Sequence, residues 1–75
     1  TAGKDGEEIQ VLLQQAIQTL PEKQKLVFNM RYYDDLPYEE ISKILDMSVG
    51  TLKTNYHYAK DKVEQYIKDN YSQEF

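Results

Sequence analysis

Apolar residues recur at intervals of three and four along most of the 75-residue chain, and this spacing predicts an all-α fold. The first helix is expected over residues 6–19, with one apolar face. That face contains Ile9, Leu12, Leu13, Ala16, Ile17 and, just beyond the helix, Leu20. A second helix is expected to start at Pro21, because proline suits a first helical turn and Glu22 complements the helix dipole.

The second half of the chain predicts a short helix followed by a long one. The sequence "DDLP" ends the second helix, since a residue that precedes proline disfavours helical angles. A third helix is expected over residues 37–45, with Ile41, Ile44 and Leu45 facing inward, and a fourth over residues 49–69, with Ser48 as N-cap. The buried stripe of the fourth helix is predicted to be Val49, Leu52, Tyr56, Ala59, Val63 and Tyr66.

These elements together predict one compact four-helix domain over residues 6–69. Residues 1–5 are expected to be a linker or a remnant of expression, and residues 70–75 a frayed tail. The chain does not begin with methionine, and we expect it to be a fragment of a longer protein.

A short helix, a three-residue turn and a longer helix indicate a helix-turn-helix over about residues 37–62, without a wing. In that motif the second helix enters the DNA major groove. Advancing about 100° per residue from Leu52, the centre of the buried stripe, places Gly50, Thr54 and His57 opposite the core. Lys53 lies on one flank of this outward face, and Thr51 and Tyr58 lie on the other.

Composition and charge narrow the possible functions. The formal net charge is −4, but residues 34–46 hold five acidic residues and one lysine, whereas residues 47–60 hold two lysines and no acid. The chain has no cysteine, one histidine and no glycine-rich phosphate loop, so we expect neither an enzyme nor a metal or cofactor site. The local positive segment is the feature that favours a nucleic-acid partner.

Three segments, in order and without insertions, carry a resemblance to a known family. They are "LPEKQKLVF" opening the second helix, "LPYEEISKIL" forming the third and "SVGTLK" opening the fourth. Over residues 20–67 the chain resembles region 4 of bacterial sigma factors of the extracytoplasmic-function (ECF) group.

The resemblance implies a cytoplasmic bacterial domain that reads the −35 promoter element in the major groove and docks on the β flap of RNA polymerase. An anti-sigma factor is a further implied partner. By position, the residues implied to read bases are Lys53, Thr54, Asn55, His57 and Tyr58. Those implied to contact the DNA backbone are Arg31, Tyr38, Gly50 and Thr51.

Three positions depart from the usual family pattern. The family usually has arginine where this chain has Asn55 and Tyr58, and often glycine where it has Asp46. Aspartate can adopt the left-handed conformation, so we expect the turn to be kept. Without the two arginines, we expect weaker intrinsic DNA affinity and a base preference shifted from the GA-rich targets common in the family.

Other interpretations of single residues stay open from the sequence. Arg31 can pair with Asp34 or Asp35 instead of DNA, Asn55 can hydrogen-bond locally, and Tyr58 can dock a protein partner. For the whole domain, the alternatives are the helix-turn-helix output domain of another transcriptional regulator and a protein-interaction helical bundle. The neighbouring tyrosines Tyr32 and Tyr33 are expected to pack in the core and at its rim.

Overall fold

A computed structural model describes the backbone of residues 2–71 and the side chains of residues 6–71, and it contains four helices. Helix α1 spans Ala2–Gln18, α2 spans Glu22–Tyr32, α3 spans Tyr38–Leu45 and α4 spans Val49–Asn70. The predicted all-α architecture is confirmed. Helix α1 begins earlier than predicted, because Gly3 and Gly6 weaken a helix by only about 1 kcal/mol each and need not end it. In the predicted tail, residues 72–75 lie outside the described part of the chain.

The first part of the core joins α1, α2 and the second half of α4, and we call it the bundle core. Its residues are Leu13, Ala16, Ile17, Leu20, Phe28, Ala59 and Val63, all buried. Ile9, predicted on the same face of α1, is 40% exposed, because it lies N-terminal to the residues of α1 that reach this core.

The second part joins α2, α3 and the first half of α4, and we call it the motif core. It consists of Val27, Ile41 and Leu52, each fully buried. Tyr56 packs against both cores and therefore links them. Helix α4 thus carries the motif at one end and completes the bundle at the other.

The prediction that Ile44 faces inward is wrong, since 56% of this residue is exposed. Three residues advance a helix by about 300°, so Ile44 lies roughly 60° to one side of the buried Ile41. The contacting face of α3 extends to the other side, where Tyr38 and Leu45 pack against the motif core.

The turn between α3 and α4 has the predicted chemistry. Asp46 adopts the left-handed conformation (φ 55°, ψ 49°), which confirms that aspartate can replace the usual glycine here. The Ser42 hydroxyl donates a hydrogen bond to the Met47 carbonyl at 2.6 Å, and the Met47 N–H returns one to Ser42 O at 3.3 Å. The tight turn fixes the position of the α4 N-terminus relative to α3.

Candidate nucleic-acid interface

The N-terminus of α4 is capped and open to an anion. The Ser48 side chain accepts a hydrogen bond from the Thr51 N–H at 3.1 Å, and its hydroxyl donates to Thr51 Oγ1 at 2.8 Å. The first turn of α4 contains no acidic residue. The remaining N–H groups and the helix dipole therefore favour a negatively charged group such as a phosphate.

The outward face of α4 is largely as the helical spacing predicts. Leu52 is fully buried and Asn55 is half-buried. The exposed positions are Gly50, Thr51, Lys53, Thr54, His57 and Tyr58. Burying Leu52 in the motif core therefore turns these side chains away from the protein, although their contact with DNA stays a prediction.

Two of these polar side chains make hydrogen bonds within α4. Thr54 Oγ1 donates to the Gly50 carbonyl at 3.1 Å, and Asn55 Nδ2 donates to the Thr51 carbonyl at 2.9 Å. The local hydrogen bond considered for Asn55 is thus present. It uses one of the two N–H donors of the Asn55 amide and leaves the other donor and the side-chain oxygen, an acceptor, for a ligand.

His57 lies beside an acidic neighbour on the same helix. Its Nε2 is 3.4 Å from Asp61 Oδ2, and the two side chains are 69% and 59% exposed. The pair attracts as ions only when the imidazole is protonated. Its spacing of four residues was visible in the sequence, so this contact could have been predicted.

A tyrosine at the start of α3 brings together two cations from other helices. The Arg31 guanidinium carbon lies 5.1 Å from the centroid of the Tyr38 ring, and the Lys53 ammonium nitrogen lies 5.8 Å from the same centroid. Both distances are within the range of cation–π attraction. Residues predicted to touch the DNA backbone and the bases therefore meet at one aromatic ring, which no sequence spacing indicated.

Arg31 is held by two further contacts near the end of α2. Its Nη1 lies 3.4 Å from Asp35 Oδ1 and donates to the Leu36 carbonyl at 3.2 Å. Of the two carboxylates considered as partners, the structure selects Asp35. The ion pairs Arg31–Asp35 and His57–Asp61 both use a cation of the candidate interface.

Tyr56 lies behind the interface and has a structural role. Its ring centroid is 5.7 Å from that of Phe28, at the junction of the two cores. Partial burial raises the pKa of its phenol above the ordinary 10.0; nearby Tyr38 adds to this rise, and Arg31 partly offsets it. Tyr56 is therefore protonated at neutral pH.

The neighbouring tyrosines Tyr32 and Tyr33 pack at the rim of the bundle core. The prediction placed this pair in the core and at its rim, and the structure agrees with the rim position. The Tyr32 ring stacks on Phe28 at 5.2 Å, and Tyr33 accepts a hydrogen bond from Gln14 at 2.8 Å. Both are about half exposed, so neither belongs to the core proper.

A groove of about 210 Å³ opens beside Tyr32 between α1, α2 and α4. Its lining consists of Leu13, Phe28, Tyr32, Tyr56, Lys60, Val63, Glu64 and Ile67.

The fold and the exposed face of α4 define the class as helix-turn-helix domains. The sequence profile of the family described as Sigma-70, region 4, matches residues 10–63. The chain therefore belongs to the Sigma-70 region 4 family, a non-enzymatic transcription factor domain.

Similarity to individual proteins places the chain in the ECF group of this family. It is 36% identical over 62 residues to the ECF RNA polymerase sigma factor SigW of Bacillus subtilis, a match that covers 83% of this chain and 33% of that protein. It is 31% identical over 62 residues to the ECF RNA polymerase sigma-E factors of Escherichia coli (strain K12) and Salmonella typhimurium (strain LT2), covering 83% of this chain and 32% of each. The chain thus spans about a third of the length of the curated relatives it matches. No helix within residues 2–71 is long and apolar enough to cross a membrane.

Proposed function

We propose that this domain recognises the −35 element of bacterial promoters and docks on the β flap of RNA polymerase, in the cytoplasm. Helix α4 lies in the major groove, with its N-terminus against a phosphate. The proposed base-reading residues are Lys53, Thr54, Asn55, His57 and Tyr58. The proposed backbone contacts are Arg31, Tyr38, Gly50 and Thr51.

The observation that carries the proposal is the capped and acid-free N-terminus of α4 beside an exposed polar face. Recognition helices of this motif meet base edges with their N-terminal turns. Ser48 satisfies the Thr51 N–H, which leaves earlier N–H groups for a phosphate. Gly50 adds no side chain between the helix backbone and the DNA.

The hydrogen bonds within α4 refine the expected base contacts. Lys53 supplies donors, which suit the guanine acceptors O6 and N7. The Thr51 carbonyl takes one N–H of the Asn55 amide, so the side-chain oxygen and the second N–H remain for a bidentate contact with adenine. The Tyr58 ring, 55% exposed, suits a thymine methyl group or a phosphate.

Polymerase docking is supported by apolar surface away from the N-terminus of α4. The groove beside Tyr32 is lined mainly by apolar and aromatic side chains of the bundle core and suits an apolar segment of the flap. Binding to polymerase would raise the effective concentration of the domain at the promoter, so weak intrinsic DNA affinity suffices. An anti-sigma factor that covers these surfaces would prevent both contacts.

DNA recognition is tested by measuring fluorescence anisotropy with duplexes selected by the domain from a random-sequence pool. We expect Lys53→Ala to weaken binding about tenfold, or 1.4 kcal/mol, and to relax the preference at the contacted base. Lys68→Ala is the matched control, because it removes the same charge from the exposed last turn of α4. Equal losses in both variants would indicate a non-specific charge effect and contradict groove recognition.

Promoter function is tested by transcription with core polymerase and the sigma factor that contains this domain. We expect initiation to depend on the selected sequence when it is placed at the −35 position, and to fall with Lys53→Ala. Initiation that is indifferent to that sequence would contradict the −35 assignment. Failure of an isolated β flap to bind the domain would contradict the docking assignment alone.

A further inference from the structure

Arg31 contacts three groups around the end of α2 and the start of α3 in the free domain. Its guanidinium lies 5.1 Å from the Tyr38 ring centroid, donates to the Leu36 carbonyl at 3.2 Å and lies 3.4 Å from the Asp35 carboxylate. The ring and the carbonyl fix where the guanidinium lies, and the carboxylate neutralises it. A DNA phosphate that approaches Arg31 therefore meets a site where an anion is already bound.

Asp35 has a left-handed backbone conformation although its side chain is almost fully exposed. Asp35 has φ 54°, in the left-handed region that side chains disfavour, and its side chain is 91% exposed. An ion pair this exposed contributes little to folding, since solvent screens it. The contact thus does more to the charge of Arg31 than to the stability of the domain.

Lys53 completes a cationic site around the same ring. Its ammonium nitrogen lies 5.8 Å from the Tyr38 centroid, so it is at most about 11 Å from the Arg31 guanidinium, the sum of the two distances to that centroid. Within residues 6–71, no carboxylate is within ion-pairing distance of Lys53. Of the two cations around the Tyr38 ring, only Arg31 is paired with a carboxylate of the described residues.

We propose that Asp35 acts as an internal substitute for a DNA phosphate and thereby sets the affinity of the domain. In the free domain its carboxylate holds Arg31. On binding, a backbone phosphate displaces it and contacts Arg31 beside Tyr38 and Lys53. This inference rests on the proposed DNA-binding function and assigns a role to a residue that does not read bases. It also gives a reason for weak binding outside the polymerase complex, because each association must break the Arg31–Asp35 pair.

The test compares Asp35→Asn with Asp34→Asn, using fluorescence anisotropy and a short random-sequence DNA duplex at several salt concentrations. Both variants remove one negative charge from adjacent exposed positions, so their long-range effects match. Asparagine also tolerates the left-handed conformation at position 35. We expect Asp35→Asn to bind several-fold more tightly than Asp34→Asn. We expect similar slopes of log affinity against log salt concentration in the two variants, because Arg31 contacts the same phosphate in both complexes.

A second pair of variants identifies Arg31 as the residue through which Asp35 acts. In an Arg31→Gln background, Asp35→Asn and Asp34→Asn should have the same effect on DNA affinity. Circular dichroism of each variant confirms that all four helices are kept.

Equal effects of Asp35→Asn and Asp34→Asn with Arg31 present would overturn the inference, while measurable DNA binding would leave the proposed function standing. A difference that persists without Arg31 would also overturn it. If no variant bound DNA even at low salt, the proposed function would fail and this inference with it.

Discussion

Replacing Gly50 by alanine should stabilise the domain and weaken its binding to DNA. Gly50 lies in the first turn of α4, it does not have a positive φ, and a Cβ built there meets no atom within 4 Å. Glycine in a helix costs about 0.5–1 kcal/mol relative to alanine. We therefore expect the free energy of unfolding to rise by about 0.5 kcal/mol, at the lower end of that range because the first turn is only partly constrained.

For a domain of this size, a gain of that amount raises Tm by about 2–4 °C. In the proposed complex the same methyl group lies between the α4 backbone and a phosphate. Loss of one such contact should reduce DNA affinity about tenfold, which corresponds to 1.4 kcal/mol. Thermal unfolding followed by circular dichroism and DNA binding followed by anisotropy measure the two effects separately.

Gly6→Ala is the matched control for this prediction. Gly6 also lies in a helix, α1, and its added Cβ likewise meets no atom within 4 Å. We expect a similar or larger gain in stability without a change in DNA affinity. Higher stability with unchanged affinity in Gly50→Ala would refute the close approach of the α4 backbone to DNA. Lower stability in Gly50→Ala would mean that the added Cβ collides with other atoms, and it would refute the open space around this position.

Substitutions at two further positions test the turn and the junction of the two cores. Asp46→Gly should leave stability unchanged or raise it by up to about 1 kcal/mol, whereas Asp46→Ala should lower it by about 1 kcal/mol, because only the latter adds left-handed strain. Urea unfolding of the pair checks this, and equal midpoints would contradict it. The pKa of Tyr56 is raised in the folded state, so protonated Tyr56 favours folding. This contribution to the free energy of unfolding is complete below the ordinary pKa of 10.0 and is lost as pH rises through the folded-state pKa. Tyr56→Phe should therefore reduce the alkaline loss of stability measured by urea unfolding, and an unchanged loss would contradict the pKa shift.

The helices and the turn of this domain follow from local chemistry. Ser48 caps α4 because its hydroxyl oxygen needs only the N–H of a residue three positions ahead. Asp46 closes the turn because its own short side chain tolerates the left-handed conformation. The outward direction of Lys53 and His57 follows from the helical period once Leu52 is placed in the core.

Contacts between helices could not be predicted in this way. Ile44 fits the apolar pattern of α3, but its burial depends on what packs beside it, and α2 and α4 cover the Tyr38 and Leu45 side instead. The selection of Asp35 over Asp34 as the partner of Arg31 depends on a left-handed backbone at one of two adjacent aspartates.

The sequence by itself determined the four helices and their order, where the turn lies and which face of α4 points away from the core. Only the tertiary structure decided that Arg31 from α2 and Lys53 from α4 meet at the Tyr38 ring of α3. The physical reason is that helical periodicity relates residues within one helix, where spacing sets direction. The distance between side chains on different helices depends on how the motif core packs those helices together.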